Sequence, residues 1–533
     1  MKKLHIYFLS ALTAAALLPA VTACSEDNLD IENGNSLNTS NFWQSESDAE
    51  KGLVAVYNMF YRQGTWTRNI YTQLNGMADD GISMAGWTEL AEYAKFIFTN
   101  YNFSEFNTKS YREHYIAINR ANQVLDHIDA IPFADDAHKQ DVKAQAKFLR
   151  AFHYYTVTNI WENVPVCLST SSADDKPLQG NPDQIFTIIE NDLREIIDAK
   201  ALPLRRAEAD YGRPTLGSAY ALLAKTYAQH HKWAEAADAL KWICEGEGRS
   251  IYSLMSDYGD NFREETENNA ESLFEIQFSM AMGTIGYDGT DDYASAKAQL
   301  GTQIEINQSP AGTGWNNIEA NHWPVDYFKR EKTTDGKNDP RLYYTYWYRE
   351  AAEDFPDRDN QMYKYASWNE DGWGNRVFIR KYCTDTHVNE MYYWNGNNFR
   401  SFRLADMYLL YAEALNEISG PADTKVVDFI DRVRTRAGLP TLENSTYYRL
   451  ADIKASRDAM RNHIKIERAL ELGCECVRWF DLKRWGIDDA ATLNELKARD
   501  TDFNNFVIGK SIRVPLPQFE VDNNPNLSQN PNY

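Results

Sequence analysis

Tryptophan and tyrosine are the side chains best placed to give this chain a chemistry, and that chemistry is recognition. The chain has 14 Trp, 32 Tyr and 24 Phe, so aromatic residues make up 13% of its 533 positions. That exceeds what core filling asks for, and a ring left at a surface offers a flat, weakly polar face to a flat, uncharged partner. Their distribution is uneven. Of the 46 Trp and Tyr, 18 fall within residues 280–400, crowded among Gly, Asn and Asp. A second irregular stretch, from Gln63 to Phe106, carries Trp66, Trp87, Tyr93 and Tyr101. Long loops in a compact protein are commonly binding loops. Catalytic constellations are scarce: the sequence has no His-Glu-x-x-His, no Cys-x-x-Cys and no Gly-x-x-x-x-Gly-Lys. The stretch Gly81 to Ala85 lacks the second Gly of a nucleophile elbow. Asp357 and Asp359 form an Asp-x-Asp pair that could hold calcium, but the rest of a calcium-ligand spacing is missing, and a solvated acidic loop accounts for them. No other cofactor is expected. A paired-carboxylate glycosidase stays open on spacing, since its two acids can come from distant positions.

The formal net charge is −22 and the sequence pI about 5.0. Such a field repels phosphate backbones, so nucleic acid is excluded as a partner. The first residues read as an address. Lys2 and Lys3 precede an apolar run from Leu4 to Pro19, and Val21-Thr22-Ala23 lead into Cys24. This is a lipobox, which predicts cleavage before Cys24 and acylation of its thiol and new amino group, so that a lipid anchor holds the mature chain on a membrane. The acidic run Ser25 to Asp30 that follows resembles the export signals of surface lipoproteins. No later segment approaches the length of a membrane span. Five further cysteines remain: Cys167, Cys244, Cys383, Cys474 and Cys476. The last two are expected on a helix as small buried apolar residues.

The elements that would position the loops are helical. Tyr111, Tyr115, Ile118, Ala121, Asn122, Leu125 and Ile128 repeat at three and four, as do Val142, Ala146, Leu149, His153, Thr156 and Ile160. Pro132 and the Asp135-Asp136 pair mark the turn between these two helices. Pro182 opens another, with Ile185, Ile188, Ile189, Leu193 and Ile196 on one face. Leu223, Ala224, Tyr227, Ala236 and Leu240 fall on tetratricopeptide-repeat positions, and Leu404 to Leu415 with Val426 to Val433 form a second helix pair. One such pair cannot cover its own apolar face, so neighbours must stack on it. Short strands are predicted over Leu273 to Phe278 and Val377 to Arg380.

Several segments carry a family resemblance in order along the chain. The helix Phe402 to Asn416 (FRLADMYLLYAEALN) resembles the signature helix of SusD/RagB outer-membrane lipoproteins, the starch-utilisation-system D type. Asp431 to Pro440 (DRVRTRAGLP), Ile464 to Leu472 (IKIERALEL) and Arg478 to Trp485 (RWFDLKRW) are similar to its following helices. Val514 to Gln518 (VPLPQ) and Asn524 to Tyr533 (NPNLSQNPNY) resemble its C-terminus, and Tyr115 to Asn122 with Ala144 to Tyr154 its N-terminal helices. Cys476 departs from the family pattern, where Gly is expected. The resemblance implies a mainly α fold, a tetratricopeptide-like helical scaffold with a loop-rich insertion. It divides the chain into a signal peptide at 1–23, a tether at 24–47, a helical region at 48–249, a loop-rich region at 250–400 and a C-terminal helical region at 401–533.

The resemblance also implies a function: capture of oligosaccharide or polysaccharide at the outer face of the outer membrane, and delivery to a TonB-dependent transporter, without catalysis. A pyranose has an apolar face for a Trp or Tyr and a hydroxyl rim for polar side chains. In the family, platforms come from the loop after an early acidic motif, here Asp79-Asp80, and from loops before an Asp-Pro-Arg motif, here Asp339-Pro340-Arg341. Trp87 and Trp315 are therefore the first candidates, followed by Tyr287, Tyr293 and Trp66, with Asp80, Asn316 and Arg341 as polar partners. The competing reading of each ring is a core plug, and packing is the favoured role for Trp233, Trp242, Trp479 and Trp485. Two other functions remain in view, a secreted helical glycosidase and a repeat scaffold for a protein partner.

Overall fold

The structure is a computed structural model that describes residues 42–84, 86–172, 174–280, 301–311, 313–356, 374–384 and 394–533. Cys24, Tyr287, Tyr293, Asp357 and Asp359 lie outside the described residues.

Helices dominate, and their ends follow capping chemistry. After α1 (Glu46–Tyr57), α2 (Asn69–Gly76) and α3 (Thr88–Ala94) come the long pair α4 (Ser110–His127) and α5 (Asp136–Trp161). The Asp135 side chain accepts the Ala137 N–H and starts α5 as the acidic pair predicted. Asn181 and Gln184 form a capping box with Pro182 at the first turn of α6 (Pro182–Asp198). Thr215 and Ser218 cap α7 (Leu216–Gln229) in the same way, and α8 (Trp233–Cys244) follows after a three-residue connection. The C-terminal part contributes α9 (Leu404–Ser419), α10 (Thr424–Arg436), α11 (Arg457–Leu472) and α12 (Arg478–Arg484).

From α4 to α10 each helix packs on the next, so the apolar stripe of one is covered by its neighbour. Ile185, Ile189, Leu193, Ala224, Tyr227, Ala236 and Leu240 are all buried along this stack. The step from α8 to α9 is a direct packing contact, although residues 245–403 lie between them in sequence. Those residues are an insertion between two stacked helices.

Short antiparallel strand pairs run within the insertion and join it to the segment before Trp87. Strand β1 (Gly81–Ser83) pairs with β3 (Ile318–Ala320), β2 (Ser272–Ile276) with β6 (Phe399–Arg403), and β4 (Tyr346–Trp347) with β5 (Phe378–Ile379). The two strands expected from sequence are present in β2 and β5, with shifted ends.

The helix expected at Cys474 and Cys476 does not form. The two residues sit in the turn between α11 and α12, at φ of 60° and 64°. Both are buried, as expected. The left-handed backbone explains why Gly is the natural residue at position 476, since a side chain there is strained.

That turn is where distant segments meet. The Cys474 carbonyl accepts from the Tyr71 hydroxyl at 3.1 Å, and the Cys476 N–H donates to Asn75 Oδ1 at 3.0 Å. Lys381, from the insertion, donates to the Gly473 carbonyl at 2.8 Å and to Glu475 at 2.7 Å. The segment leading to Trp87 and the inserted region are thereby fixed to one support.

Candidate ligand-binding site

Trp87 and Trp315 belong to different loops, and the β1–β3 pair brings those loops together. Ser83 is opposite Ile318, and beyond that pair the Met84 N–H donates to the Asn317 carbonyl at 2.9 Å. The two indoles then meet around one cation. The Arg68 guanidinium lies 3.9 Å from the Trp87 ring centroid and 5.4 Å from that of Trp315. Each such contact is worth roughly 0.5–2 kcal/mol, more as water is excluded.

Arg68 is held from below. Its side chain is only 7% exposed, and Glu105 lies 3.9 Å away. Glu105 is itself paired with Lys109 at 3.2 Å, one helical turn on. Glu89 accepts the backbone N–H groups of Glu105 and Phe106 at 3.0 and 3.2 Å, and Phe106 packs on the Trp87 ring at 4.5 Å. The Trp87 indole is thus backed by the core on one side while the residue stays half-buried.

Trp315 is half-buried as well, and its loop is shaped by Gly314. A Cβ at Gly314 would fall 2.7 Å from both the Ile306 carbonyl oxygen and the Ser309 Cβ, so no larger residue fits. The close approach lets the Trp315 N–H donate to that Ile306 carbonyl at 2.7 Å. Asn316 adopts a left-handed backbone at φ 52°, a conformation Asn tolerates, and its Oδ1 is buried without a hydrogen-bond partner among the described residues. Two half-exposed indoles, a shared cation and an amide form a surface suited to a flat, hydroxylated ligand.

Three sequence-predicted site residues are elsewhere. Trp66 is a core plug: it is 5% exposed and stacks on Phe399 at 4.8 Å. Asp80 is fully buried, and its carboxylate accepts the Cys474 N–H at 3.0 Å. Burial pushes the Asp80 carboxyl up to about 6, with the Asp79 charge adding to the effect. A shift of this kind can mark a general acid, but no substrate can reach a sealed carboxyl. Arg341 is also fully buried, bound to Asp339 at 2.7 Å and Glu471 at 3.2 Å. A buried charge must be paired, and this one already is. All three position the loops and are closed to ligand.

Arg68 is the residue that sequence reasoning missed. A cation inside the aromatic Gln63 to Phe106 stretch was the available signal, since guanidinium groups stack on indoles. Among the described residues no group of His, Cys, Asp and Glu has the makings of a metal site. No helix among them is long and apolar enough to cross a membrane.

Comparison with known proteins adds to this geometry. A SusD family model matches residues 271–533, and a second one, described as starch-binding associating with outer membrane, matches residues 27–228. A SusD-like protein of Formosa agariphila is 25% identical over 91% of each chain. Among solved structures, a SusD superfamily protein of Bacteroides vulgatus superposes with a TM-score of 0.76 at 21% identity, covering 92% of this chain and all of the other. A laminarin-binding SusD-like protein superposes at 0.72 with 25% identity, over 92% of this chain and all of its own.

Proposed function

Because this chain belongs to the SusD family, we propose that it is a cell-surface glycan-binding protein that captures oligosaccharides or polysaccharides at Trp87 and Trp315. The observation that carries the reading is the convergence of these two indoles on Arg68. A laminarin-binding relative of the same fold supports a saccharide as the ligand. Acylation at Cys24 anchors the protein to the outer membrane, and captured glycan passes to a TonB-dependent transporter. The lipobox and the outer-membrane association of the matching family support this part. The protein binds without cleaving.

Covering one face of a sugar ring with an indole is worth roughly 1–2 kcal/mol at about 25 cal/mol per Å². Two such platforms supply roughly 2–4 kcal/mol before ordering costs, which alone corresponds to millimolar binding or weaker and leaves any tighter binding to hydrogen bonds at the hydroxyl rim, as suits a capture step that must also release. The test is a panel of polysaccharides, laminarin and starch among them, titrated calorimetrically against the purified protein and its Trp87→Ala and Trp315→Ala variants. One glycan class is expected to bind, with each substitution weakening it about 5- to 30-fold and leaving the melting temperature within a few degrees. Unchanged affinity in both variants would overturn the site. Shortened oligosaccharide after long incubation would overturn the non-catalytic reading.

A further inference from the structure

A second aromatic pocket lies apart from Trp87 and Trp315. It is a cavity of about 240 Å³ among α11, α12 and the helix Ala490–Arg499, with Trp323, Lys465, Arg478, Trp485, Glu495 and Arg499 in its wall. Both indoles are pinned by their polar edges. Trp323 Nε1 donates to the Asp79 carbonyl at 2.6 Å, and Trp485 Nε1 to Glu413 Oε1 at 2.8 Å. Trp485 remains half-buried, so part of its ring faces the pocket.

The charges in this wall are unequally satisfied. Arg478 holds the Asp79 carboxylate in a two-point contact at 2.6 and 2.9 Å, which uses that anion. Arg499 reaches the same carboxylate only at 3.4 Å and keeps 28% of its side chain exposed. The Lys465 ammonium lies 5.4 Å from the Trp485 ring centroid. Burial holds Lys465 below its ordinary range, and Glu495 on the exposed rim opposes this only in part. Three cations therefore share this wall in a chain whose overall charge is strongly negative, while of the nearby anions Asp79 is taken by Arg478, Glu413 is paired with Arg484 at 2.8 Å and Glu495 sits on the exposed rim. An entering carboxylate would relieve the deficit at Lys465 and Arg499 together.

We propose that this pocket binds a carboxylate carried on a sugar ring, a uronate, with Lys465 and Arg499 taking the acid group and the Trp485 flank taking the ring. Asn462 and Thr492 at the margin supply partners for hydroxyls. The volume is below the roughly 300–1,000 Å³ of sites for drug-sized ligands, which limits the occupant to a ring or two. The choice of a sugar as carrier of the carboxylate rests on the glycan-binding reading; the carboxylate itself rests on the charges.

The test titrates digalacturonate and its methyl ester into the purified protein at low ionic strength, alongside Lys465→Met, Lys465→Arg and Trp315→Ala. Digalacturonate is expected to bind the wild type and Trp315→Ala equally. The ester, and Lys465→Met with the free acid, should each bind about tenfold more weakly, in keeping with loss of a charge-assisted hydrogen bond. Lys465→Arg keeps the charge and should restore binding, which separates a recognition role from a packing one. Equal binding of acid and ester, or of wild type and Lys465→Met, would overturn the proposal. So would loss of acid binding in Trp315→Ala, which would place the acid at the first site. If no neutral glycan binds while the Lys465-dependent acid does, the reading of Trp87 and Trp315 fails and this one stands.

Discussion

The helical stack and the insertion it carries are held by different forces. From α4 to α10 the contacts are mainly apolar faces laid on one another, with Ile189, Leu222, Leu240, Leu409 and Ile430 fully buried. Among its described residues the insertion has short helices and strands with little regular surface to bury, and these are tied down by charge. Arg403 bonds Glu271 at 2.9 Å, Glu471 at 2.6 Å and Glu475 at 2.7 Å, with every partner almost completely out of solvent. Arg341 adds Asp339 and reaches Glu471, and Lys381 adds Glu475. Non-directional packing suffices where helices repeat. Loops that must present particular side chains at fixed angles need directional bonds, and paired buried charges supply them at a desolvation cost.

Cutting one of these ties is the severest way to break the contrast. Arg403→Met would leave Glu471 and Glu475 with fewer cations in a dry interior, and the expected loss is about 3–5 kcal/mol. Burial alone would raise the Glu471 carboxyl, and the Arg436, Arg403 and Arg341 guanidinium groups hold it well below its usual range. Urea unfolding would read the loss, and limited proteolysis should show earlier cleavage within residues 245–403 than in α4 to α8. Uniform cleavage along the chain would mean that stack and insertion unfold as one body.

A cut in the stack should behave differently. Leu240→Ala removes a fully buried side chain from α8, at an expected cost of about 2–4 kcal/mol. Glycan affinity at Trp87 and Trp315 should stay within twofold, because their support runs through the turn at 473–477. An affinity loss matching that of Trp315→Ala would show that the stack sets the loop geometry directly.

The stack was legible in the sequence because its rule is local. Spacing at three and four, Pro182 and the Asp135 cap are all read within a few residues, and each has its counterpart in α4 to α8. The insertion obeys no local rule. Trp66 and Trp87 share one irregular stretch, yet one is sealed and the other half-open. The difference is made by Phe399, which reaches Trp66 from the far end of the insertion. Arg341 was readable as part of an Asp-Pro-Arg motif, but its partner Glu471 lies on α11, so rim and core were indistinguishable. Trp87 and Trp315 came from family resemblance, and the strand pair that joins them is only three residues long.

The stack has one polar weakness of its own. His114 on α4 and His153 on α5 meet through their Nδ1 atoms at 2.8 Å in a fully buried position. Burial depresses both rings, so they stay neutral in the folded chain well below the usual imidazole range. The unfolded chain takes up protons near 6.5, and stability that is complete above that value is lost as pH falls toward the folded values. The expected slope is up to about 1.4 kcal/mol per pH unit for each ring. Urea midpoints measured from pH 7 to 5 should fall in the wild type and fall less steeply in His114→Gln. Equal slopes would assign the loss to another buried imidazole, His463 on α11, which burial holds down to about 4.

The smallest expected effect concerns Arg68, where the two regions meet. Its guanidinium touches both indoles but is nearly covered, so it serves the site by holding the rings. In Arg68→Met the side chain still fills the space, and Glu105 keeps Lys109 as its counter-ion, so the fold should survive. Glycan affinity should then fall only about two- to fivefold, corresponding to about 0.5–1 kcal/mol of weakened ring positioning. A loss nearer 100-fold in the same titration would mean something else. It would match a charge-assisted hydrogen bond to the ligand itself, worth about 1.5–3 kcal/mol, and Arg68 would then be a direct contact of the sugar rim.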